Sequence, residues 1–282
     1  MKFQRYDSLA AFENAALDTL MENEAQNNLP ISFLQYKDAD VSSWLLATVS
    51  DDAGGVLLTA ACTPPFGVTL YETGNRMDNG ALLLFIRELR AIGFELTGVN
   101  SESGLARRFA RIYAGEGNYT ANLKMNVMRL DEVIMPDKAP GHMRPLAEED
   151  LFFAPHWERA FSEDCGTEVY TILRNYDRLR ARLGRDVHYF WEDRVPVSQA
   201  AHGRSIVNGA VVNSVYTPPQ YRGRGYATSL VAQLSQTLLE RGHKFCCLFA
   251  DADNPVSCGI YRKLGYRDIC VCEVIAFTES GK

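Results

Sequence analysis

The sequence predicts an α/β protein of two related halves. Three observations carry this. The order of helices and strands in residues 1–130 is repeated in residues 143–282. The stretch Asp131–Pro145 between them holds three Pro, one Gly and several charges without an amphipathic period, as a linker running into a first strand would. Ile112-Tyr113 followed by Gly117-Asn118-Tyr119 is echoed by Ile260-Tyr261 followed by Gly265-Tyr266. A chain of 282 residues has room for two domains of ordinary size. The expected division is 1–130, a linker at 131–142, and 143–282.

In the first half, Leu9, Phe12, Ala16, Leu17 and Leu20 recur at three to four residues and predict a helix. The apolar runs Ser43–Val49, Val56–Cys62 and Val68–Tyr71 predict strands, bounded by turn residues at Asp51–Gly55 and Thr63–Pro65. Leu82–Ile92 reads as a helix stopped by Gly93. Phe94–Val99 reads as a strand weakened by Gly98. Leu105–Tyr113 is a basic amphipathic helix and Leu123–Leu130 a closing strand.

The second half repeats the plan. Glu148–Phe161 and Glu168–Leu183 read as helices, with Gly184 as a stop. Val187–Trp191, Val195–Ala201 and Gly209–Tyr216 follow as strands. Tyr226–Glu240 carries Tyr226, Leu230, Val231, Leu234, Leu238 and Leu239 on one side of a helix that Gly242 ends. Phe245–Phe249 is a strand, Ser257–Leu264 a short helix and Ile269–Phe277 a last strand.

Composition removes several function classes. Hydrophobic residues at 46% and charged residues at 23% fit a globular chain. Lys and Arg number 29 against 35 Asp and Glu. A surface that grips nucleic-acid phosphates needs a cationic excess, so no nucleic-acid partner is expected. The net charge of −6 lies in residues 1–140, and residues 141–282 are balanced, which leaves room there for a local anion site. The seven Cys form no Cys-x-x-Cys pair and lie mostly in apolar runs. They read as reduced core thiols, which points to a cytoplasmic protein. Asp7, Glu13 and Asp18 interrupt the apolar residues of Met1–Leu20, so no export signal is expected. No apolar run reaches about 18 residues, so no membrane span is expected. His142, His156, His188 and His243 show no ligand spacing, and no metal dependence is expected.

The chemistry concentrates in Val211–Tyr266. An apolar strand ends in Val215-Tyr216-Thr217-Pro218-Pro219. The loop Gln220-Tyr221-Arg222-Gly223-Arg224-Gly225 then opens the helix at Tyr226-Ala227-Thr228. Two Gly one residue apart let a ligand approach the backbone closely. A helix start offers free N–H groups and partial positive charge, a natural seat for pyrophosphate. Arg222 and Arg224 add cationic donors. Thr228 stands where a Rossmann loop needs its third Gly or Ala, and Tyr226-Ala227 stands where a P-loop needs Lys-Ser/Thr, so both those motifs fail. A plain turn before a helix remains the alternative.

Gln220-x-x-Gly223-x-Gly225, set between a strand and an amphipathic helix, resembles the acyl-CoA loop of the GNAT superfamily of N-acyltransferases. Phe245–Asp251, followed by Asn254-Pro255-x-Ser257-x-x-x-Tyr261-x-x-Leu264-Gly265-Tyr266, is similar to the family's second motif. The resemblance is specific over roughly 186–278, extends by element order to 143–282, and reaches residues 1–130 only as a degenerate copy. It implies two tandem GNAT-like domains, each a mixed twisted sheet flanked by helices.

The resemblance implies acetyl-CoA as co-substrate, lying between Gly209–Tyr216 and Phe245–Phe249. Backbone groups of Val215 and Thr217 would pair with the pantetheine arm. The N–H groups of Gly223, Arg224, Gly225, Tyr226, Ala227 and Thr228, with the Arg222 side chain, would hold the pyrophosphate. Asn254 and Ser257 would contact the cofactor. Tyr261 would be the general acid for the leaving thiolate, and the amine would attack directly. Each residue has another reading. Tyr261 is also a packed aromatic, Asn254 a helix cap, Ser257 a first-turn residue, Arg222 the partner of a surface acid, and Tyr216 a core or an acceptor-site residue. No base is named. Some family members carry Glu on the strand before the loop, where this chain has Asn213, Ser214 and Tyr216. Glu168, Glu192, Asp193, His202 and a water chain remain candidates.

The first half lacks Gly-x-Gly and carries Glu72 and Asp78 near its helix start at Arg76–Ala81, so it is expected to bind no CoA. It would supply part of an acceptor pocket or stiffen the active half. The acceptor implied is a small-molecule or peptide amine. The alternatives are a non-catalytic acyl-CoA sensor or interaction module, and transfer of a longer acyl or aminoacyl group. The sequence sets neither the acceptor nor the oligomeric state.

Overall fold

The computed structural model describes residues 1–74 and 78–278, with Arg204 and Ser205 described by backbone alone. It divides into two compact units, Met1–Val127 with Ile269–Lys282, and Met128–Asp268. The elements in chain order are β1 (Lys2–Arg5), α1 (Leu9–Met21), α2 (Asn28–Phe33), β2 (Leu45–Ser50), β3 (Val56–Cys62), β4 (Val68–Glu72), α3 (Gly80–Ala91), β5 (Gly98–Glu102), α4 (Ser103–Ala114) and β6 (Tyr119–Leu130). Then follow β7 (His142–Pro145), α5 (Ala154–Asp164), α6 (Ile172–Arg180), β8 (His188–Asp193), β9 (Val195–Ser205), β10 (Gly209–Tyr216), α7 (Tyr226–Glu240), β11 (Phe245–Asp251), α8 (Pro255–Lys263) and β12 (Arg267–Phe277).

In the first unit β1, β2, β3 and β4 pair antiparallel in sequence, and β4 pairs parallel with β5. The helix stripes explain what covers the sheet: α3 buries Ala81, Leu82, Phe85, Ile86 and Leu89, and α4 buries Leu105, Ala106, Phe109 and Ala110. Those residues share one apolar core with β2, β3 and β4. Local chemistry sets the helix starts. Ser8 Oγ accepts from the Ala11 amide at 3.3 Å, and the Glu102 carboxylate accepts from Gly104 and Leu105 at 3.0 Å.

In the second unit β7, β8, β9 and β10 pair antiparallel in turn, and β10 pairs parallel with β11. One face is covered by α7, whose Leu230, Val231, Leu234 and Leu238 are fully buried. Around Phe190, Leu146, Leu151, Ala154 and Leu179 form a smaller core with Phe153 and Trp157. The expected helix over 148–161 is broken into a 3-10 turn, Glu148–Phe152, and α5. Pro155 explains the break, since it lacks an N–H and suits only the first turn of a helix. The expected helix from Glu168 begins only at Ile172, where Thr171 Oγ1 caps the Arg174 amide at 3.2 Å.

The compact units depart from the expected boundaries at both ends of the second half. Residues 131–142 are packed rather than free. Ile134 donates to the Leu264 carbonyl at 2.9 Å, Ala139 donates to Ser229 Oγ at 2.8 Å, and the Pro140 carbonyl accepts from Trp191 Nε1 at 2.8 Å. The last strand from Ile269 onward belongs to the first unit. It runs antiparallel to β5, with Cys272 opposite Glu102 and Ala276 opposite Gly98. Gly98 is needed for this: a Cβ there would stand 2.3 Å from the Ile275 carbonyl oxygen. The residue that weakens Phe94–Val99 as a strand is the one that admits β12, and β5 accordingly starts at Gly98. Side chains complete the match. Ile275 and Phe277 enter the first unit's core, and the buried Glu273 carboxylate takes two bonds from Arg107 at 2.8 Å and one from Ser103 at 2.8 Å. Ile275→Val is expected to lower the first unit's stability by about 0.5–1.5 kcal/mol, the usual cost of one buried methylene. Ile269→Val, on the same strand but 43% exposed, should leave the urea midpoint unchanged. Equal midpoints for the two variants would mean that the strand is not packed there.

Candidate active site

The pairing of β10 with β11 covers only Gly209–Val211 against Phe245–Cys247. Beyond that register the two parallel strands part. Ser214 is the reason on β10: its φ of 50° lies in the left-handed region, and the pairing with β9 slips between Asn213 and Tyr216. Such a bulge bends its strand and re-aims side chains. Ala210 and Val212 join the core under α7, whereas the Tyr216 ring lies 6.1 Å from Trp157 of α5. The pairing is left open between Val212–Tyr216 and Leu248–Asp251, with Val215 and Thr217 half-buried at that opening.

The loop after β10 makes a single 3-10 turn at Pro219–Tyr221. Gly223 and Gly225 then take φ of 76° and 78°, which side chains with a Cβ rarely adopt. Gly225 is the residue from which α7 starts, and the first amide to reach a carbonyl inside the helix is Ser229, on Gly225 at 3.0 Å. The amides of Tyr226, Ala227 and Thr228 therefore sit at the open, electropositive end of the helix.

Two of the expected site residues have their side chains engaged elsewhere. Arg222 donates to Asp164 Oδ2 at 2.6 Å and to the Thr217 carbonyl at 2.8 Å, and stacks 5.8 Å from the Tyr216 ring. It ties the loop to the end of α5, the reading of Arg222 as the partner of a surface acid. The Tyr226 hydroxyl donates to Asp193 Oδ2 at 2.7 Å, which leaves only its amide for a ligand. Arg224 remains exposed at the loop.

Across the opening, Asn254 caps α8 with its Oδ1 accepting from the Ser257 amide at 3.0 Å. The capping reading of Asn254 is thus realised in the structure. Tyr261 follows two turns later, 7% exposed, edge-on to Tyr266 at 5.8 Å. Burial pushes its phenol up to about 12, with the Ser257 hydroxyl opposing the shift and the Cys165 and Cys258 thiols adding to it. The phenol is protonated throughout the neutral range.

None of the candidate bases from the sequence is free at the opening. His202 lies three residues along β9 from Gln199, the partner of Tyr216. It pairs across to Val212 with its Nε2 2.9 Å from the Asp186 carbonyl. Glu192 is paired with Arg144, Asp193 receives Tyr226, and Glu168 receives the Tyr170 hydroxyl. A carboxylate that the sequence reading misses is Glu158, buried on α5. Its Oε1 accepts from Gln199 Nε2 at 2.9 Å. One signal was available: it stands one turn after buried Ala154, on the apolar side of the helix.

The corresponding place in the first unit is filled by the chain itself. The pairing of β4 with β5 covers only Val68 and Thr69 against Val99 and Asn100. The Ser101 hydroxyl then accepts from the Leu70 amide at 2.8 Å and donates to its carbonyl at 3.0 Å. At the start of α3 the Asp78 carboxylate accepts from the Gly80 amide at 2.5 Å, and Arg108 bonds both Asn79 and Glu72. The Tyr113 hydroxyl accepts from the Leu96 amide at 3.1 Å, and its ring stacks on Phe109. Arg76 and Met77 of the expected helix start lie outside the described residues. A cavity of about 1080 Å³ in this unit, lined by Arg5, Tyr6, Ser8, Lys37 and Asp40, mixes charges. Among the described residues, neither His188 nor Gln199, whose buried Nε2 and Oε1 lack a hydrogen-bond partner, lines it.

Among the described residues no three His, Cys, Asp or Glu side chains converge as metal ligands would, and no helix is long and apolar enough to cross a membrane.

A family model described as FR47-like protein matches residues 196–275, which spans β9 to β12. An acetyltransferase of Yersinia pestis (strain Pestoides F) is 34% identical over 122 residues, covering 38% of this chain and 85% of that protein. A GCN5-related N-acetyltransferase structure from Sphaerobacter thermophilus superposes with a TM-score of 0.67 at 15% identity, over 99% of this chain and 98% of that one. A tandem GNAT protein from the clavulanic acid biosynthesis pathway superposes with a TM-score of 0.60 at 14% identity, over 100% and 99%. The chain belongs to the GNAT superfamily, and its fold is the tandem form. Membership places it in the acyl-transfer class, whose acyl donor in this family is acetyl-CoA.

Proposed function

We propose that the protein transfers an acetyl group from acetyl-CoA to a primary amine by direct attack, with the active site in the second half. The observation that carries this is the free helix start at Tyr226–Thr228, placed where β10 has parted from β11. The residues fit the group: three amides and a positive helix end suit a pyrophosphate, and unpaired strand edges suit an amide-bearing arm that adds as a strand would. Acetyl-CoA supplies an activated acyl carbon and a thiolate leaving group.

The chain's own residues have the following roles. Val215 and the Thr217 amide align the arm along β10. The amides of Gly223, Arg224, Gly225, Tyr226, Ala227 and Thr228 hold the diphosphate, and Arg222 braces the loop on Asp164. Asn254 and Ser257 fix the start of α8, so that Tyr261 holds a proton at the phenol oxygen for the departing sulfur. The first unit has internal bonds at its strand gap, at its helix start and at Tyr113, which supports reading it as a degenerate copy that binds no CoA. The acceptor is a small-molecule or peptide amine. All seven cysteines are free thiols, which supports a cytoplasmic setting.

The test is thiol release from acetyl-CoA in the presence of a panel of amines, with calorimetric titration of CoA alongside. Amine-dependent release and one CoA per chain are expected. Two equivalent CoA sites would show that the first unit is still active in binding, and CoA binding without release from any amine would favour a sensor.

A further inference from the structure

Glu158 is the one carboxylate that α5 turns inward, 8% exposed. Leaving a carboxylate in such a place is costly unless it is bonded. It is held from two strands. Gln199 Nε2 of β9 donates to its Oε1 at 2.9 Å, and the Ser214 hydroxyl of β10 lies against the same carboxylate. Ser214 is the bulge residue at which β10 leaves β11, and it immediately precedes Val215. Trp157, next to Glu158 on α5, packs on Tyr216. The helix is therefore registered on the residues either side of Val215, and Glu158 stands behind the bend that opens the site.

The groups around it act on its charge in opposite directions. Burial raises its pKa, and the Arg182 and Arg178 guanidiniums, at and just past the end of α6, hold the rise back. His188 faces the same cluster from β8, with Arg182 3.3 Å from its Nδ1. Burial and that cation bring its pKa down to about 3, so it is neutral and does not compete as a counter-charge. Among the described residues, His188 Nε2 and Gln199 Oε1 make no hydrogen bond of normal geometry, although Gln199 lies against the His188 ring and partly offsets the fall in its pKa.

We propose that Glu158 is the general base of the reaction and that Gln199 is its positioning residue. The inference rests on the acetyl-transfer reading above. The amine nitrogen's lone pair forms the C–N bond, and the C–S bond breaks with its electron pair on sulfur. The proton lost by nitrogen goes to Glu158, the proton gained by sulfur comes from Tyr261, and exchange with solvent resets both groups.

The test uses the full chain, acetyl-CoA and whichever amine in the panel gives the fastest wild-type release. Glu158→Gln keeps the shape of the side chain and is expected to lower kcat by about 10²-fold or more, the usual scale for losing a general base. The acid limb of the kcat–pH profile should disappear and CoA affinity should stay the same. A merely structural carboxylate would change stability but would leave that limb in place. Glu158→Asp retracts the carboxylate by one methylene. It should give a reduced kcat with the limb retained, and it decides the question if the Gln variant does not fold. Wild-type kcat and an unchanged profile in either folded variant would overturn the assignment of Glu158 while leaving acetyl transfer standing. Absence of release from wild type with every amine would overturn both.

Discussion

Replacing Gly223 and Gly225 together by Val is expected to weaken CoA binding by about 10²-fold or more, with the fold retained. Both residues have φ near 77° in the range 76–78°, a region that costs a β-branched residue on the order of 1–2 kcal/mol. Space is not the issue: a Cβ at Gly223 meets nothing within 4 Å, and one at Gly225 meets only Ala139 Cβ at 3.8 Å. The loop will therefore relieve the strain by changing backbone conformation, and the amides it carries will turn away from the helix axis. A diphosphate held by two or three charge-assisted hydrogen bonds, each about 1.5–3 kcal/mol, loses most of its affinity when they are misdirected. The body of α7 should be unaffected, because its buried Leu230, Val231 and Leu234 lie beyond the first turn. Calorimetry for CoA, paired with circular dichroism and a melting curve, reads this directly. Unaltered affinity in a folded double variant would mean that CoA is held elsewhere.

How much of this was legible in the sequence depended on how far each feature reaches along the chain. The glycine loop and the start of α7 are written in nine consecutive residues, and the structure forms them as the local chemistry requires. The cap at Asn254 and the packed ring of Tyr261 were legible for the same reason, since each is written within α8 and its flanks. What failed was what depends on a distant partner. Ile269–Phe277 has the apolar alternation of a strand in any sheet. Its membership of the first unit follows from Gly98, which leaves room for the Ile275 carbonyl, and from Arg107, which answers Glu273. Arg222 reads as a phosphate donor beside two glycines, and only the fold brings Asp164 within 2.6 Å of it. Glu158 looks like one more helical acid until Gln199 and Ser214 are placed around it. The duplicated plan was visible as an order of elements. The internal bonds of the first unit, between Ser101 and Leu70 and between Asp78 and Gly80, became visible only with the structure.

Tyr261→Phe is expected to lower kcat by about 10²-fold, the low end of the range for general acid catalysis, with CoA affinity nearly unchanged. The ring is 7% exposed and packed edge-on against Tyr266, so Phe fills the same volume and the fold should hold. Only the hydroxyl is lost, and with it the proton offered to sulfur as the C–S bond breaks. The low end follows from the acidity of the group. Burial has pushed the phenol up to about 12, while a free thiol has a reference value of about 8.5. Full transfer to a solvated thiolate would then be uphill by a few units. Burial raises the thiolate's proton affinity by the same mechanism, which narrows the gap. The Ser257 hydroxyl, lying against the phenol, keeps the rise from being larger by favouring the phenolate. The phenol therefore acts chiefly as a strong hydrogen-bond donor to developing charge, worth about 1.5–3 kcal/mol, and completes the transfer as the bond opens. Ser257→Ala should accordingly reduce kcat by a smaller factor than Tyr261→Phe and shift the basic limb of the rate profile upward, because the phenol loses a group that favours its ionised form. Steady-state kinetics beside a CoA binding curve separates the outcomes. A wild-type kcat in Tyr261→Phe would mean that the thiolate leaves unassisted, and lost CoA binding with a normal circular dichroism spectrum would make Tyr261 a binding residue.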